Sequence, residues 1–296
     1  MTLIAIKPNF TVLLIYLLGF LSVLVLCPPS LANSPGTHYR TMQSGEKKRN
    51  YLLHIPQAYQ KNSKKTLALV IMLHGRSGNG QRAASRYYGW IELSEKEQFI
   101  VVFPTALGSP TSWQVGLKEK PSQDSRFLSD LIDLLLNEIK INTNQVFMTG
   151  HSSGGFMSFS FAVTHSDKVA AIAPVAGLLI NIEQPTQPIS VISFHGMDDN
   201  IVPYSKKDIS VKGLLTALES ANFFAQHNNC GKPVRSNLNG GKVHIDTWSG
   251  GKDSTEVQLY SIENGGHGWP QESYHSVSAT ETIWNFFKAH SRESSN

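Results

Sequence analysis

Leu67 to Leu73 is an uninterrupted run of seven apolar residues. A run this short and uniform suits a strand buried on both faces in a parallel sheet. Further apolar runs at Ile100–Phe103, Val146–Met148, Val169–Val175 and Val191–Phe194 read the same way. Val257–Ile262 is more mixed, as a strand nearer the sheet edge would be. Between Asp124 and Lys140 the period changes. Phe127, Leu128, Leu131, Ile132, Leu135 and Ile139 recur at helical spacing and predict an amphipathic helix. Other helices are expected near Ala83–Gln98, Leu214–Gln226 and Ala279–His290. Before the first buried run, Tyr39 to Ile55 reads as an antiparallel hairpin turning at Ser44-Gly45. Strands alternating with helices predict an α/β fold, a mostly parallel sheet with helices on both faces. No Pro/Gly/Ser-rich linker divides the chain after residue 32, so residues 33–296 are expected to form one domain.

The first 32 residues follow another pattern. Lys7 is the only charge ahead of a largely apolar run from Phe10 to Leu26, and small residues follow at Ser30 and Ala32. That is the plan of a secretory signal peptide, with cleavage expected after Ala32 and a secreted or periplasmic product. The run also approaches the length of a membrane span, so an uncleaved N-terminal anchor is the alternative. Beyond the leader no membrane contact is expected.

Composition narrows the function classes. Of 296 residues, 41% are hydrophobic and 16% charged, which is globular rather than disordered. The net charge of +4 falls short of the clustered basic excess of a nucleic-acid binder. The densest basic cluster, Lys47-Lys48-Arg49, reads as a solvated strand edge. Cys27 lies in the leader, which leaves Cys230 alone in the rest of the chain, expected as a small buried filler and excluding an intrachain disulfide there. No His/Cys/Asp cluster has metal-ligand spacing, and no cofactor is expected.

The chemistry concentrates after Val146-Phe147-Met148-Thr149. Gly150-His151-Ser152-Ser153-Gly154 follows, then an apolar helical stretch. Strand, Gly-x-Ser-x-Gly and helix together make the nucleophile elbow of α/β hydrolases, with Ser152 as nucleophile. The first central strand ends in Leu73-His74-Gly75-Arg76-Ser77-Gly78, placed to supply one oxyanion-hole amide. The expected donors are the backbone amides of Arg76 and Ser153. A serine hydroxyl needs a base. In this fold the triad order is Ser, acid, His, each on a loop after a strand. Of eleven histidines, His267 alone combines late position with a loop directly after a predicted strand. The acid belongs after Val191–Phe194, where Asp198 and Asp199 are both available. His195 in the same loop reads as structural.

The chain resembles the polyhydroxybutyrate depolymerase and feruloyl esterase group of α/β hydrolases. Matching segments include Arg49–Pro56, Leu73-His74-Gly75, Ser112-Trp113-Gln114, the Gly150–Gly155 elbow and His195–Tyr204. Phe223–Cys230 and Gly265-Gly266-His267-Gly268-Trp269-Pro270 complete the set. In that group the fifth residue of the His-Gly-x-x-Asp segment is the triad acid, which points to Asp199. The chain departs from the group in lacking partners for Cys230 and a cysteine pair near Trp113, and in carrying Gly268 where Thr is common. The resemblance implies hydrolysis of short polyester or hydroxycinnamoyl and acyl-polysaccharide esters outside the cytoplasm.

The expected partner is therefore a small or polymeric ester. Trp113 and Trp269 are candidates to line the pocket and stack on an aromatic acyl group, with simple packing as the other reading. A serine peptidase on the same fold and a non-catalytic binding protein are the competing functions. The sequence leaves the oligomeric state open.

Overall fold

The computed structural model describes residues 33–60, 64–116, 120–180, 183–205 and 213–292. The expected leader, its cleavage or anchoring, and Cys27 lie outside the described residues. The chain opens with the antiparallel pair β1 (Gly36–Ser44) and β2 (Lys47–Ile55), then β3 (Leu67–Leu73). Helices α1 (Gly80–Ala83) and α2 (Trp90–Glu97) lead to β4 (Ile100–Pro104). Next come α3 (Gln123–Glu138), β5 (Ile141–His151) and α4 (Ser153–Thr164). They are followed by β6 (Ala171–Val175), β7 (Ser190–Gly196) and α5 (Ala217–His227). An antiparallel pair, β8 (Val234–Leu238) and β9 (Val243–Trp248), precedes β10 (Val257–Ile262). The short α6 (Glu272–His275) and α7 (Ala279–Ala289) close the described chain.

All ten strands share one sheet in the order β1-β2-β4-β3-β5-β6-β7-β10-β9-β8. The six central strands, β4 to β10 in that order, run parallel, and an antiparallel pair flanks each side. Alternate residues of β3 feed two different cores. Leu67, Leu69, Ile71 and Leu73 pack with α3, α4 and α5 on one face. Ala68, Val70 and Met72 pack with α1, α2 and α7 on the other. Both faces of a central strand are thus dry, which is why its sequence shows no polar alternation. The described residues from 33 to 292 belong to one compact unit.

Three expectations change. Val257–Ile262 is not near an edge, because β9 and β8 extend the sheet beyond it. The helix expected near Ala83–Gln98 starts only at Trp90: α1 ends at Ala83, residues 84–89 form turns, and Gly89 takes a left-handed conformation (φ 68°) just before α2. Arg49 does not lie on a solvated strand edge. Lys47 and Lys48 are exposed, but Arg49 is buried, 2.5 Å from Asp124 at the start of α3 and stacked over Phe127. Cys230 is half-buried with a free thiol.

Candidate active site

The elbow follows from close packing. β5 lies beside β3, and α4 begins directly behind Leu73 and His74. A Cβ on Gly154 would stand 2.5 Å from the Leu73 carbonyl oxygen, and one on Gly150 would stand 2.5 Å from the Gly154 backbone. Only glycine lets strand and helix approach this closely. Ser152, between them, adopts φ 55° and ψ −119°. A non-glycine residue held there stores roughly 1–3 kcal/mol of strain. Its amide donates to Val175 on the neighbouring strand (2.9 Å), which helps hold the turn.

Three sequence-predicted residues meet here. Ser152 Oγ is 2.8 Å from His267 Nε2, and His267 Nδ1 is 2.7 Å from Asp199 Oδ2. Of the two adjacent aspartates, Asp198 is exposed, whereas Asp199 is 4% exposed and faces His267. The other Asp199 oxygen accepts the amides of Ile201 and Val202, both at 2.8 Å. Burial by itself would raise the Asp199 carboxyl. The hydrogen bonds from His195, His267, Val202 and Ile201 outweigh it and hold the group well below the usual carboxylate range. His195 is more than filler. Its Nε2–H donates to the Val202 carbonyl (2.7 Å) and lies 3.4 Å from Asp199 Oδ2.

The strand ends supply the geometry. Ser152 follows β5, Asp199 follows β7 and His267 follows β10, all at the carboxyl edge of the parallel block, where open α/β sheets bind their ligands. The loop after β3 adds the fourth wall. His74 shapes it: Ala106 N–H donates to His74 Nε2 (3.0 Å), so Nδ1–H donates to the Gly75 carbonyl (2.7 Å). Gly78 N–H closes back on the Gly75 carbonyl (3.0 Å). Arg76 sits on this turn and lines the cleft beside Ser152. Ser153 is the first residue of α4, whose amino end carries partial positive charge. Among the described residues the amides of Arg76 and Ser153 donate to no protein acceptor.

The cleft measures about 360 Å³ and is bounded by Gly75, Arg76, Tyr88, His151, Ile201 and His267 around Ser152. Burial, then the nearby His267, pushes the His151 imidazole down to about 4. Its ring centroid is 5.2 Å from that of His267, so its neutrality spares the base a second cation. Sequence reasoning passed over His151, although it lies inside the elbow motif. It also passed over Tyr88 and Ile201, for which the sequence carried no signal.

Neither tryptophan lines the cleft, which corrects the expectation for both. Trp113 is 5% exposed and donates Nε1–H to the His74 carbonyl (2.8 Å). Trp269 is fully buried and donates Nε1–H to Thr280 Oγ1 (2.9 Å). The Thr280 hydroxyl in turn donates to the Tyr88 carbonyl. A large ring finds more apolar surface in the core behind these loops than at their tips, so the indoles support the cleft from behind. Among the described residues no group of His, Cys, Asp and Glu side chains could hold a metal.

Known proteins resemble this one along most of its length. Feruloyl esterase C of Emericella nidulans is 27% identical over 270 residues, 87% of this chain and 92% of the relative. A bifunctional acetylxylan esterase/xylanase of Neocallimastix patriciarum is 23% identical over 219 residues, 74% of this chain, which spans 30% of that longer protein. The solved acetyl xylan esterase of Aspergillus awamori superposes with a TM-score of 0.64 at 16% identity, covering 86% of this chain and 99% of that one, and shares its fold. The family described as Phospholipase/Carboxylesterase matches residues 56–248, well over half of the chain. The chain belongs to that family of α/β-hydrolase-fold carboxylic ester hydrolases.

Proposed function

We propose that the chain is an exported serine esterase working through Ser152, His267 and Asp199. The observation that carries this reading is the unbroken line of hydrogen bonds from Ser152 Oγ through His267 to Asp199, opening on a cleft. His267 takes the hydroxyl proton as Oγ attacks the ester carbonyl. The imidazolium is held by Asp199, and the tetrahedral oxyanion accepts from the Arg76 and Ser153 amides. Collapse breaks the acyl–oxygen bond, with the His267 proton going to the leaving alcohol. Water then attacks the acyl-enzyme by the same route and returns the acid. Residues 1–32 act as signal peptide and 33–296 as one catalytic domain. Feruloyl and acetylxylan esterases among the relatives favour hydroxycinnamoyl or acetyl esters of polysaccharide over short polyesters.

The test is labelling of the purified protein by a fluorophosphonate, beside Ser152→Ala and His267→Ala. Wild type labels and neither variant does. Folded wild type that stays unlabelled overturns the reading. An ester panel of p-nitrophenyl acetate, hydroxybutyrate oligomer and methyl ferulate, with a peptide anilide beside it, then ranks substrates. Faster anilide cleavage makes the chain a peptidase.

A further inference from the structure

His267 sits on a short span with little backbone support of its own. Before it, Gly265 is fixed twice. Its amide donates to the Ile262 carbonyl (3.2 Å), and its carbonyl accepts the Asp198 amide (2.9 Å). Beyond Gly265, the amides of Gly266, His267 and Gly268 donate to no protein acceptor among the described residues. Both chain neighbours of His267 are glycines, and neither is hemmed in. A Cβ on Gly266 would meet nothing within 4 Å, and one on Gly268 would meet only the Tyr87 hydroxyl oxygen, at 3.7 Å. Glycine has the widest choice of backbone angles, so such a span keeps a side chain in one place only if its far end is tied.

The tie is Tyr87. The Trp269 amide donates to the Tyr87 hydroxyl oxygen (3.1 Å), and among the described residues this is the first backbone donor after His267 to find an acceptor. The Tyr87 carbonyl accepts the Gln271 side-chain amide (2.6 Å). Tyr88 supports the same loop from behind. Its carbonyl accepts the Thr280 hydroxyl (2.6 Å), which accepts the Trp269 indole N–H (2.9 Å), and its ring stands edge-on to that indole. Packing does not account for the Tyr87 side chain, which is 51% exposed and lies outside the nucleophile cleft. The Trp269 amide is the one protein partner of its hydroxyl among the described residues.

We propose that Tyr87 is a positioning residue of the reaction. Its hydroxyl fixes the far end of the Gly266-His267-Gly268 span and so keeps the imidazole between Ser152 and Asp199. The proposal rests on the serine-esterase reading above and adds the group that aims its base. Without the tie, the imidazole drifts from its 2.8 Å contact with Ser152 Oγ and its 2.7 Å contact with Asp199. A misplacement of about 1 Å at a reacting group costs up to ~100-fold in rate.

Tyr87→Phe removes the hydroxyl while keeping the ring and the carbonyl that holds Gln271. Tyr274→Phe, at a tyrosine 84% exposed on α6, is the control. On p-nitrophenyl acetate Tyr87→Phe lowers kcat about ten- to hundredfold with little change in KM, because the ring is outside the cleft. Fluorophosphonate labelling slows by a similar factor, since it draws on the same base. The thermal midpoint moves by no more than a few degrees, and Tyr274→Phe changes none of these. Proton NMR gives the readout that a merely structural role would not move. The far-downfield resonance of the His267 Nδ1–H held by Asp199 is sharp in wild type and control, and broadens or vanishes in Tyr87→Phe. Activity and labelling within about twofold of wild type overturn the assignment. So does a slowed enzyme whose His267 resonance is unchanged. If folded wild type itself does not label, the serine-esterase reading falls instead, and the resonance alone decides whether Tyr87 holds the ring.

Discussion

Asp199 shows how one side chain's surroundings decide its role. It and Asp198 are chemically identical neighbours, yet one is exposed and the other accepts four hydrogen bonds or close contacts in a buried loop. Asp199→Asn is expected to lower kcat by about 10⁴-fold while the protein stays folded, because the amide cannot hold the imidazole in the tautomer that accepts the Ser152 proton. Asp198→Asn leaves kcat within about twofold, as surface changes away from a site usually do. Steady-state kinetics on p-nitrophenyl acetate separates them. His151 carries a pH prediction. Its folded-state value of about 4 lies below the ~6.5 of a free imidazole. Between those values the unfolded chain binds the extra proton, so stability is full above pH ~6.5 and falls as pH drops toward 4. His54, His74 and His165 are also lowered, burial first, and steepen the same limb. Urea melts of His151→Gln should lose part of this acid dependence. A slope unchanged from wild type contradicts the assignment.

Among elements, the parallel block was legible and its flanks were not. Leu67–Leu73 and Val257–Ile262 run as strands over the predicted ranges, the first because burial on both faces leaves an unbroken hydrophobic run, the second because enough apolar residues remain around Gln258 and Ser261. β8 is exposed along its whole length, and Val-Arg-Ser-Asn-Leu has no pattern a single-sequence reading can catch. β9 mixes His244, Asp246 and Thr247 among apolar residues, since Arg235 pairs with Asp246 across the ladder. Ser152 and His267 were readable because each sits at a strand end with its own local motif, whereas the choice of Asp199 over Asp198 came only from the family resemblance. The tryptophans were misread because a local motif says nothing of which way a ring turns. Packing between loops gives the next prediction. A Cβ on Gly196, the last residue of β7, would stand 2.2 Å from the Gly265 carbonyl oxygen, pushing the Asp199 loop from the His267 loop. Gly266→Ala meets nothing within 4 Å. Gly196→Ala should cost about 1–3 kcal/mol or more in stability and reduce kcat, and Gly266→Ala neither. Thermal melts and activity on the same preparations check both.

For the whole molecule, the buried Arg49–Asp124 pair ties the antiparallel flank to the site loops. Arg49 also donates to the Thr105 carbonyl, and Asp124 accepts the Gln114 amide (2.9 Å). Burial lowers the Arg49 guanidinium from its ordinary value, and Asp124 partly restores it. Asp124→Asn leaves a buried cation without its counter-ion and should cost about 3–5 kcal/mol by denaturant melts. A loss under 1 kcal/mol means the pair is not what holds the flank.

The sheet order also governs when the protein can act. β10, which leads to His267, is the last strand to be made among the described residues, yet it lies between β7 and β9 rather than at an edge. β8 and β9 reach the rest of the sheet only through it. A nascent chain can finish the Ser152 elbow and the Asp199 loop and still have no His267 within reach. On the proposed triad, hydrolysis reports that this strand has been inserted and the loop beyond it made, and a chain cut short after Ile262 stays chemically silent.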